Sequence, residues 1–271
     1  MMRRAQPWLG TLVDITIADS LGAAELAACF DDAFAAVAEV QRLMSFHDPQ
    51  SDVSRINRAL PDVAVPVHAH THAVLRAALE VFEASAGIFD IACAPRLVEA
   101  GCLPAPGSDR VRYLPGGSAL ALDDGFLVTK SRPLWIDLGG IAKGYAVDLA
   151  IHALRSCGVR SACVNAGGDL RVLGDHPVSI RDPRSPGEMA LQIDLRDAAL
   201  ATSANYFSGR TTDARSVLID GRNGRACPGD FSVTVQALNC MLADALTKVV
   251  AATKDARHTA LPRFGASAFI I

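Results

Sequence analysis

The sequence predicts an α+β fold in a single domain spanning residues 1–271, with mixed or antiparallel sheets flanked by helices. Three observations carry this. Val13, Ile15 and Ile17 alternate with Asp14 and Thr16, the period of a half-buried strand. Long stretches with apolar residues at three- and four-residue steps stand beside several strand-like stretches gathered after Leu170. No repeat, low-complexity tract or linker divides the chain.

In order, the chain opens on an edge or hairpin strand around residues 13–17. Leu26, Phe30, Phe34, Val37 and Val40 then mark a long amphipathic helix over 23–44, whose apolar stripe should cover a sheet. A second helix is expected over 72–86, with Gly87 placed for a left-handed cap. Residues 101–133, rich in Pro, Gly, Asp and Ser, read as loops with one or two short strands. A third helix is expected over 140–157, followed by Gly158 and a short strand at 161–164 that stops at Asn165-Ala166-Gly167-Gly168-Asp169. Further strands are expected at 189–195, 216–219 and 232–237, a helix at 242–253 and a closing strand at 266–271.

Half of the 271 residues are hydrophobic and a fifth charged, enough for a substantial core. A net charge of -3 without a long Lys/Arg run gives no footprint for nucleic acid or an anionic membrane. The seven cysteines are scattered and form no C-x-x-C pair, so neither a disulfide framework nor a zinc site is indicated. No apolar run reaches the roughly 18 to 20 residues of a membrane span, and no signal-like run follows the N-terminal arginines. The expectation is a soluble, cytoplasmic protein.

The segment Ile136-Asp137-Leu138-Gly139-Gly140-Ile141-Ala142-Lys143-Gly144-Tyr145 places a carboxylate at the end of a strand and glycines around the start of a helix. Glycine lets the main chain approach a ligand, and a helix N-terminus offers N–H groups and a favourable dipole to a phosphate, with Lys143 adding charge. Its spacing is neither that of a P-loop nor G-x-G-x-x-G. Alone, it fits an ordinary strand-to-helix connection better. The turn from Asn165 to Asp169 fits a tight hairpin as well as a site. Asp244 and Thr247 share a helical face and offer the hard oxygens that Mg²⁺ prefers, although an acidic residue early in a helix is also ordinary capping.

Taken in order, these blocks resemble the ApbE family of FAD:protein FMN transferases over nearly the whole chain. The resemblance begins at Leu9-Gly10-Thr11, passes through Met44-Ser45, the spaced Ser51, Ser54 and Asn57, and Gly87-Ile88-Phe89-Asp90, and includes the segment from Asp137 to Asp148. It continues through Val164 to Asp169, Ala201-Thr202-Ser203, Ile219-Asp220 with Gly224-Arg225, Ser232 to Val235, and Cys240 to Leu246. The resemblance implies an ApbE-like flavin transferase fold. It implies an Mg²⁺-dependent enzyme that moves FMN from FAD to a Thr or Ser hydroxyl of an acceptor protein and releases AMP. Carried over by position, Gly140 (through its backbone oxygen), Asp244 and Thr247 hold the metal. Leu9, His47, Ile88, Phe89, Asp90, Asp137, Lys143 and Leu218 contact FAD, and Asp244 and Lys143 serve the chemistry.

The chain departs from the family pattern at definite places. Lys248 stands where a Thr is common, Val217 where many members carry a His, and His47 where an aromatic, often Tyr, stacks on the flavin. Ser203-Ala204-Asn205-Tyr206 replaces a Ser-Gly-Asp-Tyr turn. At the metal position, Thr247 can substitute, or Lys248 can hold phosphate. Hydrolysis of FAD to FMN and AMP, and flavin binding without catalysis, are the competing readings.

Overall fold

The alternating residues around Asp14 form β2 (Thr11–Ile17), in which Val13, Ile15 and Ile17 are fully buried, and β1 (Met2–Trp8) folds back on it as an edge hairpin. Next come α1 (Ala23–Met44), α2 (Asp52–Arg58), β3 (Val65–Pro66), α3 (Ala69–Ala84), α4 (Ala94–Glu99), β4 (Leu120–Leu122), β5 (Leu127–Lys130) and α5 (Ala142–Ser156). The second half holds β6 (Ala162–Ala166), β7 (Asp169–Leu173), β8 (Asp175–Arg181), β9 (Met189–Arg196), β10 (Ala199–Ala204), β11 (Ile219–Asp220), β12 (Arg225–Ala226) and β13 (Ser232–Ala237). The chain closes with α6 (Cys240–Thr253), α7 (Ala260–Arg263) and β14 (Ser267–Ile270). This computed structural model describes residues 1–107, 111–183, 185, 188–204, 218–227 and 231–271. Val217, Asn205 and Tyr206, and the first half of the strand expected at 216–219, lie outside the described residues.

A seven-stranded sheet in the order β1-β2-β6-β7-β10-β13-β14 is antiparallel throughout. Its two faces are covered differently. Helix α5 packs on β6 and β7, and α6 on β10 and β13. Helix α1, expected to cover a sheet, packs chiefly on α5 and reaches the sheet at its β1 edge. On the opposite face the β8–β9 hairpin sets Val178, Ile180 and Leu195 against Leu170, Val172 and Leu200. Each fully buried aliphatic side chain in these layers contributes roughly 1.5–3 kcal/mol. Among the described residues, no helix is long and apolar enough to cross a membrane.

The contact between α5 and α6 fixes the site. A Cβ on Gly144 would lie 2.2 Å from the main-chain oxygen of Cys240, so only glycine permits this approach of the two helices. Asn239 caps α6 by accepting from the N–H of Leu242 at 2.9 Å. Asp148 of α5 accepts from the N–H groups of Cys240 and Met241, each at 2.9 Å, and pairs with Arg171 of β7 at 2.7 Å. A carboxylate at the positive end of α6 is thus stabilised by the free N–H groups there while it ties helix to helix and helix to sheet.

One local expectation is corrected, and one short helix adds to those expected. Residues 134–138 do not join a sheet, so Asp137 does not end a strand. Their extended main chain is held instead by the Asn57 amide, which accepts from Ile136 N–H at 2.7 Å and donates to Ile136 C=O at 2.9 Å. The Lys130 ammonium donates to Leu134 C=O at 3.1 Å, and Asp137 N–H to Ile91 C=O at 2.8 Å. Asn57 itself sits on α2, a short helix capped by Ser51 and not expected from periodicity.

Candidate functional site

The extended segment ends at Gly139 and Gly140, α5 starts at Ala142, and the β6–β7 turn lies opposite. Together they border a cavity of about 1010 Å³, whose wall includes Phe89, Asp137, Gly140, Lys143, Gly168 and Ser203. That volume reaches the upper end of the range for enclosed small-molecule sites. The turn depends on glycine. Gly167 and Gly168 take φ of +66° and +105°, and a Cβ on Gly167 would press on the Thr11 hydroxyl at 2.6 Å. The Gly168 N–H is fastened to the Asn165 side chain at 2.9 Å.

Beneath this wall lies a cluster of four charges. Asp244 has no exposed surface and occupies the second turn of α6, beyond the capping positions; Asn239 and Asp148 do the capping instead. One Asp244 carboxylate oxygen accepts from the N–H of Gly144 at 3.2 Å and stands 3.5 Å from the Lys143 ammonium, which bonds directly to Asp169. The other accepts from Lys248. Lys248 also donates to the Asp244 main-chain oxygen at 3.0 Å and to the Ser203 hydroxyl at 3.3 Å, so its three protons each have an acceptor. The Thr247 hydroxyl donates to the same Asp244 main-chain oxygen at 2.6 Å, which makes Ser203 the donor in the 2.7 Å bond between Ser203 and Thr247.

Burial works to lower the Lys143 pKa, but Asp169 and Asp244 outweigh it and hold the ammonium above its ordinary value. Burial works to raise Asp244, and Lys143 with Lys248 outweigh it, so this carboxyl is held low. Asp169 is pushed upward by burial and by its neighbour Asp244, against the pull of Lys143. With both carboxyls ionised the four charges sum to zero.

The opposite wall is built otherwise. Asp90 is buried and accepts main-chain N–H bonds from Ala92 at 2.9 Å and Gly116 at 2.6 Å. Burial nevertheless pushes its carboxyl upward. Asp137 is likewise raised by burial, against the N–H groups of Gly139 and Leu138 and the nearby His47.

Of the residues singled out from sequence, Phe89, Asp90, Asp137, Gly140, Lys143 and Leu218 border the cavity. Asp244 and Thr247 lie fully buried behind it. Leu9, at φ 56° in the β1–β2 turn, donates its N–H to Gln41 at 2.6 Å; Ile88 is buried in the core; His47 is exposed, its ring edge-on to Phe46. None of these three forms the wall. Asp169 and Ser203 belong to the site although neither stood out as a candidate. The signal for Asp169 was its place at the end of the glycine turn; that for Ser203 was its place in the Ala201-Thr202-Ser203 block and at the start of the Ser203-Ala204-Asn205-Tyr206 turn.

A profile of the ApbE family matches residues 9–268. The chain belongs to the ApbE family. Among relatives of this ApbE chain, the FAD:protein FMN transferase of Vibrio cholerae is 28% identical over 260 residues, covering 89% of this chain and 78% of the relative. The FAD:protein FMN transferase of Rhodobacter capsulatus is 42% identical over 130 residues, a match that spans 45% of this chain and only 25% of that longer protein. The crystal structure of the ApbE protein of Thermotoga maritima superposes with a TM-score of 0.86 at 27% identity, covering 100% of this chain and 94% of the other. The flavin transferase ApbE of Vibrio cholerae shares the fold, with a TM-score of 0.82 at 24% identity. The α+β architecture is therefore that of the ApbE flavin transferases.

Whether the expected Mg²⁺ fits can be judged from its donors. Among the described residues, no group of three or more His, Cys, Asp or Glu side chains could hold a metal, so a cation would rely on Asp244, hydroxyl oxygens and main-chain oxygens. Those around Asp244 are engaged by Lys248, whose Cε lies 3.4 Å from where a Cβ on Gly140 would stand. A dication about 4 Å from an ammonium meets a repulsion on the order of 8 kcal/mol at an effective dielectric of about 20. With Lys248 in place, Gly140, Asp244 and Thr247 do not fit a divalent ion.

Proposed function

We propose that this chain transfers FMN from FAD to a Ser or Thr hydroxyl of an acceptor protein and releases AMP, with residues 1–271 acting as one ApbE-like unit in the cytoplasm. The observation that carries this reading is the cavity of about 1010 Å³ with the Lys143 ammonium at its wall, in a chain of this family. Phe89, Asp90, Asp137, Lys143 and Leu218 meet FAD from the wall. Leu9, His47 and Ile88 act at its margins, Leu9 and Ile88 by shaping the turns behind it.

The acceptor hydroxyl oxygen bonds to the FMN phosphorus as the bond from that phosphorus to the bridging oxygen breaks. The bridging oxygen leaves with the electron pair as part of AMP, and the hydroxyl proton passes to solvent. Such a transfer asks the protein mainly for alignment and for positive charge beside the phosphate oxygens. Lys143 supplies that charge at the cavity wall, and Asp244 and Asp169 hold it there as an ammonium. Mg²⁺ at Gly140, Asp244 and Thr247, expected from the resemblance, would add Lewis-acid charge, but Lys248 already engages the Asp244 oxygens, and no step depends on it.

The test is incubation of the purified chain with FAD and a candidate acceptor, with and without Mg²⁺. The expected outcome is an acceptor mass increase of one FMN with one AMP released. Free FMN with AMP would establish hydrolysis instead, and FAD retained intact would establish binding alone; either overturns transfer.

A further inference from the structure

The geometry points to Lys248 as a built-in replacement for the divalent cation: its ammonium occupies the oxygen cluster of Asp244 and Ser203, and FAD binds this chain without a metal ion. The inference rests on the reading of the cavity as an FAD site. Its observations are independent of that reading.

Each proton of the Lys248 ammonium has an acceptor, namely a carboxylate oxygen of Asp244, the main-chain oxygen of Asp244 and the hydroxyl of Ser203. Carboxylate, carbonyl and hydroxyl oxygens are the donors a hard cation gathers. Here a nitrogen cation gathers them. The side chain is 15% exposed and borders the cavity, so its charge acts on whatever occupies that space. Thr247 gives its proton to the Asp244 main-chain oxygen and accepts from Ser203, which leaves one lone pair of its hydroxyl without a bond. The cluster is also neutral as it stands, two carboxylates against two ammoniums. A further dication would leave it with two uncompensated positive charges in a buried setting.

A lysine cannot be chelated or washed out, so its charge is permanent but single. Two ammoniums, Lys143 and Lys248, then border the space proposed for the FAD pyrophosphate, within a cluster whose own charges sum to zero.

Two measurements decide the matter. Mn²⁺ titrated into the purified chain without FAD, followed by the loss of the free-ion EPR signal, is expected to show no bound ion for the native chain. Lys248→Thr, which restores a neutral oxygen donor, is expected to bind about one Mn²⁺ per chain, lost again when Asp244→Asn is added. Separately, FAD affinity of the native chain is expected to be equal in EDTA and in Mg²⁺. That of Lys248→Thr should fall about tenfold in EDTA and recover with Mg²⁺. A native chain that binds one Mn²⁺ through Asp244, or FAD binding that collapses in EDTA, overturns the inference. So does failure of a folded Lys248→Thr to acquire the ion. Should Lys248→Thr not fold, Lys248→Met takes its place: release of the Asp244 oxygens should let Mn²⁺ bind, and no uptake counts against the proposal. Absence of any FAD binding would instead sink the reading of the cavity, leaving the Mn²⁺ result intact.

Discussion

The two walls of the cavity hold their carboxylates in opposite ways. On the α5–α6 side, Asp169 and Asp244 face Lys143 and Lys248, and charge meets charge among side chains. On the other side, Asp90 is held by main-chain N–H groups, and burial raises its affinity for a proton. A side-chain cluster stays balanced only while every member is present, whereas a backbone-held carboxyl can be altered with mostly local consequences.

Removing a member of the cluster should therefore cost most. Asp244→Ala leaves Lys248 without its carboxylate and Lys143 with Asp169 alone, and a loss of about 3–5 kcal/mol is expected from urea unfolding. A loss below about 1 kcal/mol would show that the cluster is not buried as described. Asp90→Ala should cost less, about 1–3 kcal/mol, by leaving the N–H groups of Ala92 and Gly116 without acceptors.

The smallest effect sharpens the contrast through pH. Burial works to raise Asp220, but its bonds to Arg222 and Asn223 outweigh this and hold the carboxyl below the ordinary 3.8. A carboxyl depressed in the folded state adds stability above its unfolded value, and that stability is lost as pH falls through the folded one. Arg222→Ala should then lower the urea midpoint modestly at pH 6, and the gap should close on acidification below about 3.8. A gap that persists unchanged at pH 2.5 would contradict this assignment.

How far the sequence foretold the structure follows from the range of the interactions. Helix α1 was legible because its buried residues recur at helical steps within one segment, and β2 because Val13, Ile15 and Ile17 alternate. Short α2 was not, since its role comes from one residue, Asn57, bonding to Ile136 across 79 positions. The extended 134–138 segment reads as a strand locally, and only its distant side-chain partners make it otherwise. At the site, Lys143, Asp137 and Asp244 were found through blocks of neighbours. The pairing of Lys143 with Asp169 and of Lys248 with Ser203 was invisible, because periodicity carries no information about which charged groups from different elements will meet. Asp244 as a capping group was the local alternative, and Asn239 and Asp148 take that work from it.

The bond from Gly144 to Asp244 joins residues 100 positions apart, with β6, β7, β10 and β13 lying between them in the chain. Closing so long a segment carries an entropic cost that short-range contacts do not. The meeting of Lys143 with Asp244 therefore belongs to the long-range contacts of the fold and depends on the close approach of Gly144 to Cys240. A side chain added at Gly144 would reach the charged cluster from outside it, by forcing α5 away from α6.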